Sequence, residues 1–68
     1  MTLTAKQMGK TVRKLRLAKK LSQARVAELA GLSREYVNKI EAGKYDPPLS
    51  TINALATALG VTARRLMA

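Results

Sequence analysis

The 68-residue chain contains neither cysteine nor histidine. Disulfide staples, thiolate or imidazole metal ligands, and every Cys/His or Ser/His nucleophile arrangement are therefore excluded. Acids are scarce as well: Glu28, Glu35, Glu41 and Asp46 complete the set. They show none of the pairing that general acid–base work requires, and no glycine-rich loop is present to cradle a phosphate. With a core limited to about 60% of the unfolded surface, a chain this short has little room for a catalytic cleft. No catalytic residue, metal or cofactor is expected, and the chain does not read as an enzyme. Tryptophan and phenylalanine are missing and tyrosine occurs twice, so the stacking platforms used on single strands and RNA loops are absent. No run approaches the roughly 20 apolar residues of a membrane span, and the first ten residues lack the apolar stretch of a secretory signal. The expectation is a soluble cytoplasmic protein that does not enter a membrane.

What is abundant is positive charge. Thirteen Lys and Arg give a formal net charge of +9, which makes a polyanion the natural partner. Seven of the cations (Lys6, Lys10, Arg13, Lys14, Arg16, Lys19 and Lys20) lie before residue 21 without one acid among them, whereas residues 21–48 hold four of each sign. Duplex DNA is favoured over RNA because the aromatics are so few.

Five helical patterns can be drawn, and no segment alternates with period two for long enough to suggest a strand. The fold class is therefore all-α, in a single domain over residues 1–68. Helix 1 is expected from about Ala5 to Lys19, with Ala5, Met8, Val12 and Leu15 on one stripe and cations opposite. Leu17 falls among those cations without an explanation. Ser22 caps a second helix ending at Ala30, Gly31 supplies the positive φ that closes it, and Ser33 caps a third that ends before Gly43. The two prolines of KYDPP mark a loop. Ser50 is expected to cap a fourth helix, with Ile52, Leu55, Ala56 and Leu59 buried, and Thr62 a last short one carrying Leu66 and Met67.

The turn between the second and third helices is so short that the two must cross steeply, with a small residue, Ala27, at the near point. Val37 and Ile40 are expected to pack back on Val26 and Leu29. The opposite side of the third helix then presents Arg34, Glu35, Asn38, Lys39 and Ala42, on a rod of suitable diameter for the major groove.

From its first helix (MGKTVRKLRLAKKLSQ) through Gln23, Ala27, Gly31, Ser33, Val37, Ile40, Glu41 and Gly43 to the phrase PLSTINALATALGV, the chain resembles the phage-repressor-like helix-turn-helix domains, the Cro/repressor or XRE type. The resemblance covers nearly the whole chain. It implies a compact five-helix, lambda-repressor-like DNA-binding domain that regulates transcription from a double-stranded operator, usually as a homodimer.

The resemblance also places the start of the second helix against the DNA backbone, which makes Gln23 a phosphate clamp aided by the helix dipole. Arg25 departs from the family, where an acid often completes a capping box, and is either a second phosphate contact or a plain surface charge. Arg34 suits guanine O6 and N7, Asn38 suits adenine N6 and N7, and Lys39 suits base or phosphate. Glu35 either accepts from cytosine N4 or, the favoured reading, complements the helix N-terminus and pairs with Lys39. Lys44 reads as a backbone contact and Tyr45 as a phosphate donor or a loop anchor. Tyr36, at the edge of the apolar stripe, reads as packing. The candidate DNA-binding set is thus Gln23, Arg25, Ser33, Arg34, Glu35, Asn38, Lys39 and Lys44. Arg16 and Glu41, each at the margin of an apolar stripe, are assigned a structural ion pair. Lys20 also departs from the family, which commonly has glycine or asparagine where helix 1 ends.

Candidates for context are a Cro-like repressor or a restriction-modification controller. A competing reading is an antitoxin or adapter module that binds a protein partner through Leu17, Tyr45, Val61, Leu66 and Met67, residues that serve equally well as a dimer contact or as part of a thin core. Membrane association through the basic first helix is disfavoured, because that helix has no Trp or Phe and its apolar side is needed for the core.

Overall fold

A computed structural model describes residues 4–68, which form five helices: α1 (Ala5–Ala18), α2 (Gln23–Ala30), α3 (Arg34–Glu41), α4 (Leu49–Leu59) and α5 (Ala63–Met67). Helical content throughout matches the all-α expectation. α1 begins with a full capping box: the Thr4 hydroxyl accepts from the Gln7 N–H, and the Gln7 side chain accepts from the Thr4 N–H. Two of the otherwise unpaired amides of the first turn are satisfied in this way. The helix ends one residue earlier than its periodicity suggests. Lys20 then takes φ 59°, so a lysine occupies the left-handed conformation for which glycine or asparagine is the usual residue.

The helix-turn-helix is set by its caps. Ser22 accepts from the Arg25 N–H and Ser33 from the Tyr36 N–H. Between them Gly31 adopts φ 69°, and the Leu32 N–H donates to the Ala27 carbonyl at 2.8 Å. That six-to-one bond closes α2 and turns the chain at once into α3. Leu32 itself packs on the core.

α4 starts differently from the expectation. Pro48, in extended conformation, is the N-cap and offers no side-chain bond, while its carbonyl accepts from Thr51 and Ile52. Ser50 is already inside the first turn and is not the cap. A proline fixed near φ −66° lets the helix begin directly behind it, so no hydroxyl is required to set the entry. α5 is capped by Thr62 as its sequence suggests.

The core is aliphatic: Met8 and Val12 from α1, Val26 and Ala27 from α2, Val37 and Ile40 from α3, Ile52, Leu55, Ala56 and Leu59 from α4, and Leu66 from α5. Leu29, expected beside Val26, is instead 45% exposed. α2 has only eight residues, and the stripe that meets α3 and α4 is filled by Val26, Ala27 and the half-buried Ala30. Leu29 is rotated away from it.

Gly9, in the middle of α1, explains how that helix reaches α3. A Cβ there would lie 2.3 Å from the Ile40 carbonyl oxygen and 2.8 Å from that of Glu41. Only a residue without a side chain allows the two backbones to meet so closely.

Candidate nucleic-acid interface

The side of α3 opposite Val37 and Ile40 is built as a solvent-facing surface. Arg34, Glu35, Asn38 and Lys39 are all exposed, and together they line a shallow concavity of about 270 Å³. The amphipathic division of this short helix is therefore complete, with valine and isoleucine on one side and four hydrogen-bonding side chains on the other.

Ser33 stands at the head of this surface with its hydroxyl engaged in the α3 cap at 3.1 Å. The expected pairing of Glu35 with Lys39 does not occur among the ion pairs of the described residues, which are Arg16–Glu41 and Arg25–Glu28. Glu35 lies in the first turn of α3, where a carboxylate complements the helix dipole. Lys39 instead extends over the Tyr45 ring, its Nζ 5.6 Å from the centroid. The Tyr45 ring is in turn tilted against Tyr36 at 5.7 Å. Tyr45 thus anchors the loop after α3 to the helix. Nothing in the linear spacing pointed to the Lys39–Tyr45–Tyr36 stack, since the loop path decides it.

Arg25 reaches along α2 to Glu28, both side chains being more than half exposed. An exposed pair of this kind contributes at most about 1 kcal/mol, so the arginine is available for exchange onto an anion. Lys44 is exposed just beyond α3. Beside it the backbone of Lys6 passes so near Gly43 that a Cβ on the glycine would sit 2.8 Å from the Lys6 Cα. The start of α1, read from the sequence as part of a separate basic face, thereby adds a cation at the C-terminal end of α3.

Behind the surface lies the Arg16–Glu41 pair. Arg16 Nε donates to Glu41 Oε2 at 2.7 Å, Nη2 to Oε1 at 3.1 Å, and Nη1 to the Leu21 carbonyl at 2.9 Å. The side chains are 10% and 4% exposed, so the structural pair is both bidentate and buried. Gln23 joins it from the first position of α2. Its Nε2 donates to Glu41 Oε1 at 3.1 Å, and its Oε1 accepts from Asn38 Nδ2 at 3.3 Å. Gln23 and Asn38, which the sequence presents as independent contacts, are thus joined. Their connection depends on how α2 crosses α3, and residue spacing alone does not reveal it.

A helix-turn-helix family model, HTH_3, matches residues 12–66. The immunity repressor protein of Bacillus phage phi105 is 44% identical over 54 residues, amounting to 79% of this chain and 38% of that protein. Control protein C.SmaI of Serratia marcescens is 35% identical over 60 residues, 88% of this chain and 71% of its own length. The crystal structure of the restriction-modification controller protein C.AhdI from Aeromonas hydrophila superposes with a TM-score of 0.89 at 44% identity, covering 91% of this chain and 94% of that one. The chain spans 38% and 50% of the length of two of the curated relatives, the phi105 repressor and the YonR regulator of Bacillus subtilis. It belongs to the helix-turn-helix family of phage-repressor-like, XRE-type DNA-binding transcriptional regulators, a family of regulators and not of enzymes. Within that family it is similar both to phage immunity repressors and to restriction-modification controllers. No helix among the described residues is long and apolar enough to cross a membrane.

Proposed function

We propose that the chain is a sequence-specific regulator of transcription that binds an operator in double-stranded DNA, inserting α3 into the major groove. The observation that carries this reading is the exposed quartet Arg34, Glu35, Asn38 and Lys39 on a helix whose other side is locked into the core. Arg34 supplies the bidentate donor geometry suited to guanine, and Asn38 the donor and acceptor suited to adenine. Gln23 at the start of α2, Arg25 and Lys44 flank the quartet as phosphate contacts, with Lys6 added at the far end. The net charge of +9 draws the duplex in from a distance and makes binding steeply dependent on salt.

An eight-residue helix reads too few base pairs for high specificity, so two copies are expected on a palindromic site, with half-sites one helical turn or a multiple of it apart. The context is that of a phage repressor or a restriction-modification controller. Selection of bound duplexes from a random pool tests the reading: a palindromic motif supports it, and equal retention of all sequences at physiological salt rejects it. A second reading, a protein-binding module of the antitoxin or adapter kind, draws on the exposed Leu17 and Leu49, whereas Leu66, expected on such a surface, is fully buried and Val61 packs against the core. A partner captured through these leucines, combined with indifference to duplex DNA in dilute salt, would favour it instead.

A further inference from the structure

Four side chains from three helices form a single line of polarity from the inside of the protein to its surface: Arg16 on α1, Glu41 and Asn38 on α3, and Gln23 on α2. We propose that Gln23 is a positioning residue that sets which edge of Asn38 faces the DNA, and so determines the base preference at the position Asn38 reads. The proposal rests on the major-groove reading given above and adds a specificity determinant that touches no base.

An amide side chain has two nearly equivalent orientations, one presenting the oxygen and the other the NH₂ group. In this chain the choice is made by charge. The ionised Glu41 carboxylate, nine-tenths or more buried and held from the other side by Arg16, accepts hydrogen bonds and has none to donate. Gln23 must therefore turn its Nε2 toward Glu41, which leaves Oε1 facing outward. That oxygen is in turn an acceptor, so Asn38 must offer it one of its two Nδ2 hydrogens. What remains free on Asn38 is the carbonyl Oδ1 and the second Nδ2 hydrogen.

This remainder discriminates between bases. Adenine meets it completely, with N6–H donating to Oδ1 and N7 accepting from Nδ2. Cytosine meets half of it through N4–H. Guanine N7 and O6 are both acceptors and thymine presents O4, so each leaves Oδ1 facing another oxygen or unpaired. Without Gln23 the Asn38 amide is free to turn, both Nδ2 hydrogens become available outward, and guanine becomes an acceptable partner. The polarity of a buried ion pair is thus carried through one glutamine to the recognition surface.

The test compares the parent chain with Gln23→Met, which keeps the length and helix preference of the side chain and removes its amide. In duplexes differing only at the Asn38 position, the parent is expected to prefer adenine over guanine by about tenfold or more, and Gln23→Met by no more than about threefold. A second measurement needs no DNA. The Asn38 side-chain amide protons, followed by NMR in the free protein, are expected to move and to lose their distinct exchange rates in Gln23→Met. An unchanged adenine preference, or unaltered Asn38 amide signals, overturns the proposal. So does an equal loss of affinity for all sequences with a shallower salt slope, because that is the signature of Gln23 as a phosphate clamp alone, and it leaves the DNA-binding reading intact. If the parent selects no duplex, the functional reading fails and base readout by Asn38 fails with it, whereas the NMR result still decides whether Gln23 orients Asn38.

Discussion

The two sides of α3 show how one short helix serves two opposed requirements. Toward α1 it is held by direct backbone contact at Gly9 and by the bidentate Arg16–Glu41 pair. Toward solvent, Arg34 and Glu35 have no side-chain partner among the described hydrogen bonds, Lys39 rests on an aromatic ring, and Asn38 is tied by a single bond to Gln23. A surface that is to read a groove, as proposed for this face of α3, has to keep its donors and acceptors available, which means leaving them wet. The rigidity that places them must come from the other side of the same helix. Substitutions at the seam should therefore remove stability, and those on the outer face should remove recognition while the fold persists.

The largest effect is expected from Glu41→Ala, which leaves the Arg16 guanidinium buried without its carboxylate and should cost about 3–5 kcal/mol. Chemical denaturation measures this. Replacing both partners by methionine should cost much less than Glu41→Ala alone, because no uncompensated charge remains; a double replacement as damaging as the single one would place the loss in packing. Next comes Gly9→Ala. The neighbours it would strike are backbone carbonyls and cannot rotate aside, so α1 must shift, at about 1–3 kcal/mol. A melting temperature unchanged in this variant would show that the α1–α3 seam is looser than its geometry indicates.

On the outer face, Arg34→Ala should leave the melting temperature within a degree or two of the parent. It should weaken binding to the preferred duplex by about 1–3 kcal/mol and relax the preference at one position. Equal weakening on all duplexes would instead assign Arg34 to phosphate. The smallest effect belongs to Lys20→Gly, in the turn that follows α1. It relieves the left-handed strain of a side-chain-bearing residue but adds freedom to the unfolded chain, so a gain of only about 0.5–1 kcal/mol is expected, visible as a melting point a few degrees higher.

The helix-turn-helix itself was legible because its signals are local. Ser22, Ser33 and Thr62 each accept the N–H three residues on, as their positions predict, and Gly31 is left-handed where the chain must turn. Thr4 and Gln7 stand at capping-box spacing and were equally readable. The departures arise where local rules compete or do not reach. At α4, Ser50 satisfied a rule that Pro48 had already made unnecessary. Leu29 looked like core because leucine usually is, yet the eight residues of α2 were fully used by Val26, Ala27 and Ala30. A glycine inside a helical pattern is itself a signal of close approach, but Gly9 does not say which backbone approaches.

Composition and hydrophobic period, acting over a few residues at a time, were enough to settle that this chain is a small basic helical domain with a tight turn between two short helices, and that one side of the second of these is polar. The joining of Arg16, Glu41, Gln23 and Asn38, the passage of α1 over the end of α3, and the capture of Lys39 by Tyr45 bring together groups up to 37 residues apart, the separation of Lys6 and Gly43. Their positions follow from how the helices cross, because a hydrogen bond between distant side chains depends on the relative placement of whole helices, and that placement is fixed by packing the entire core at once.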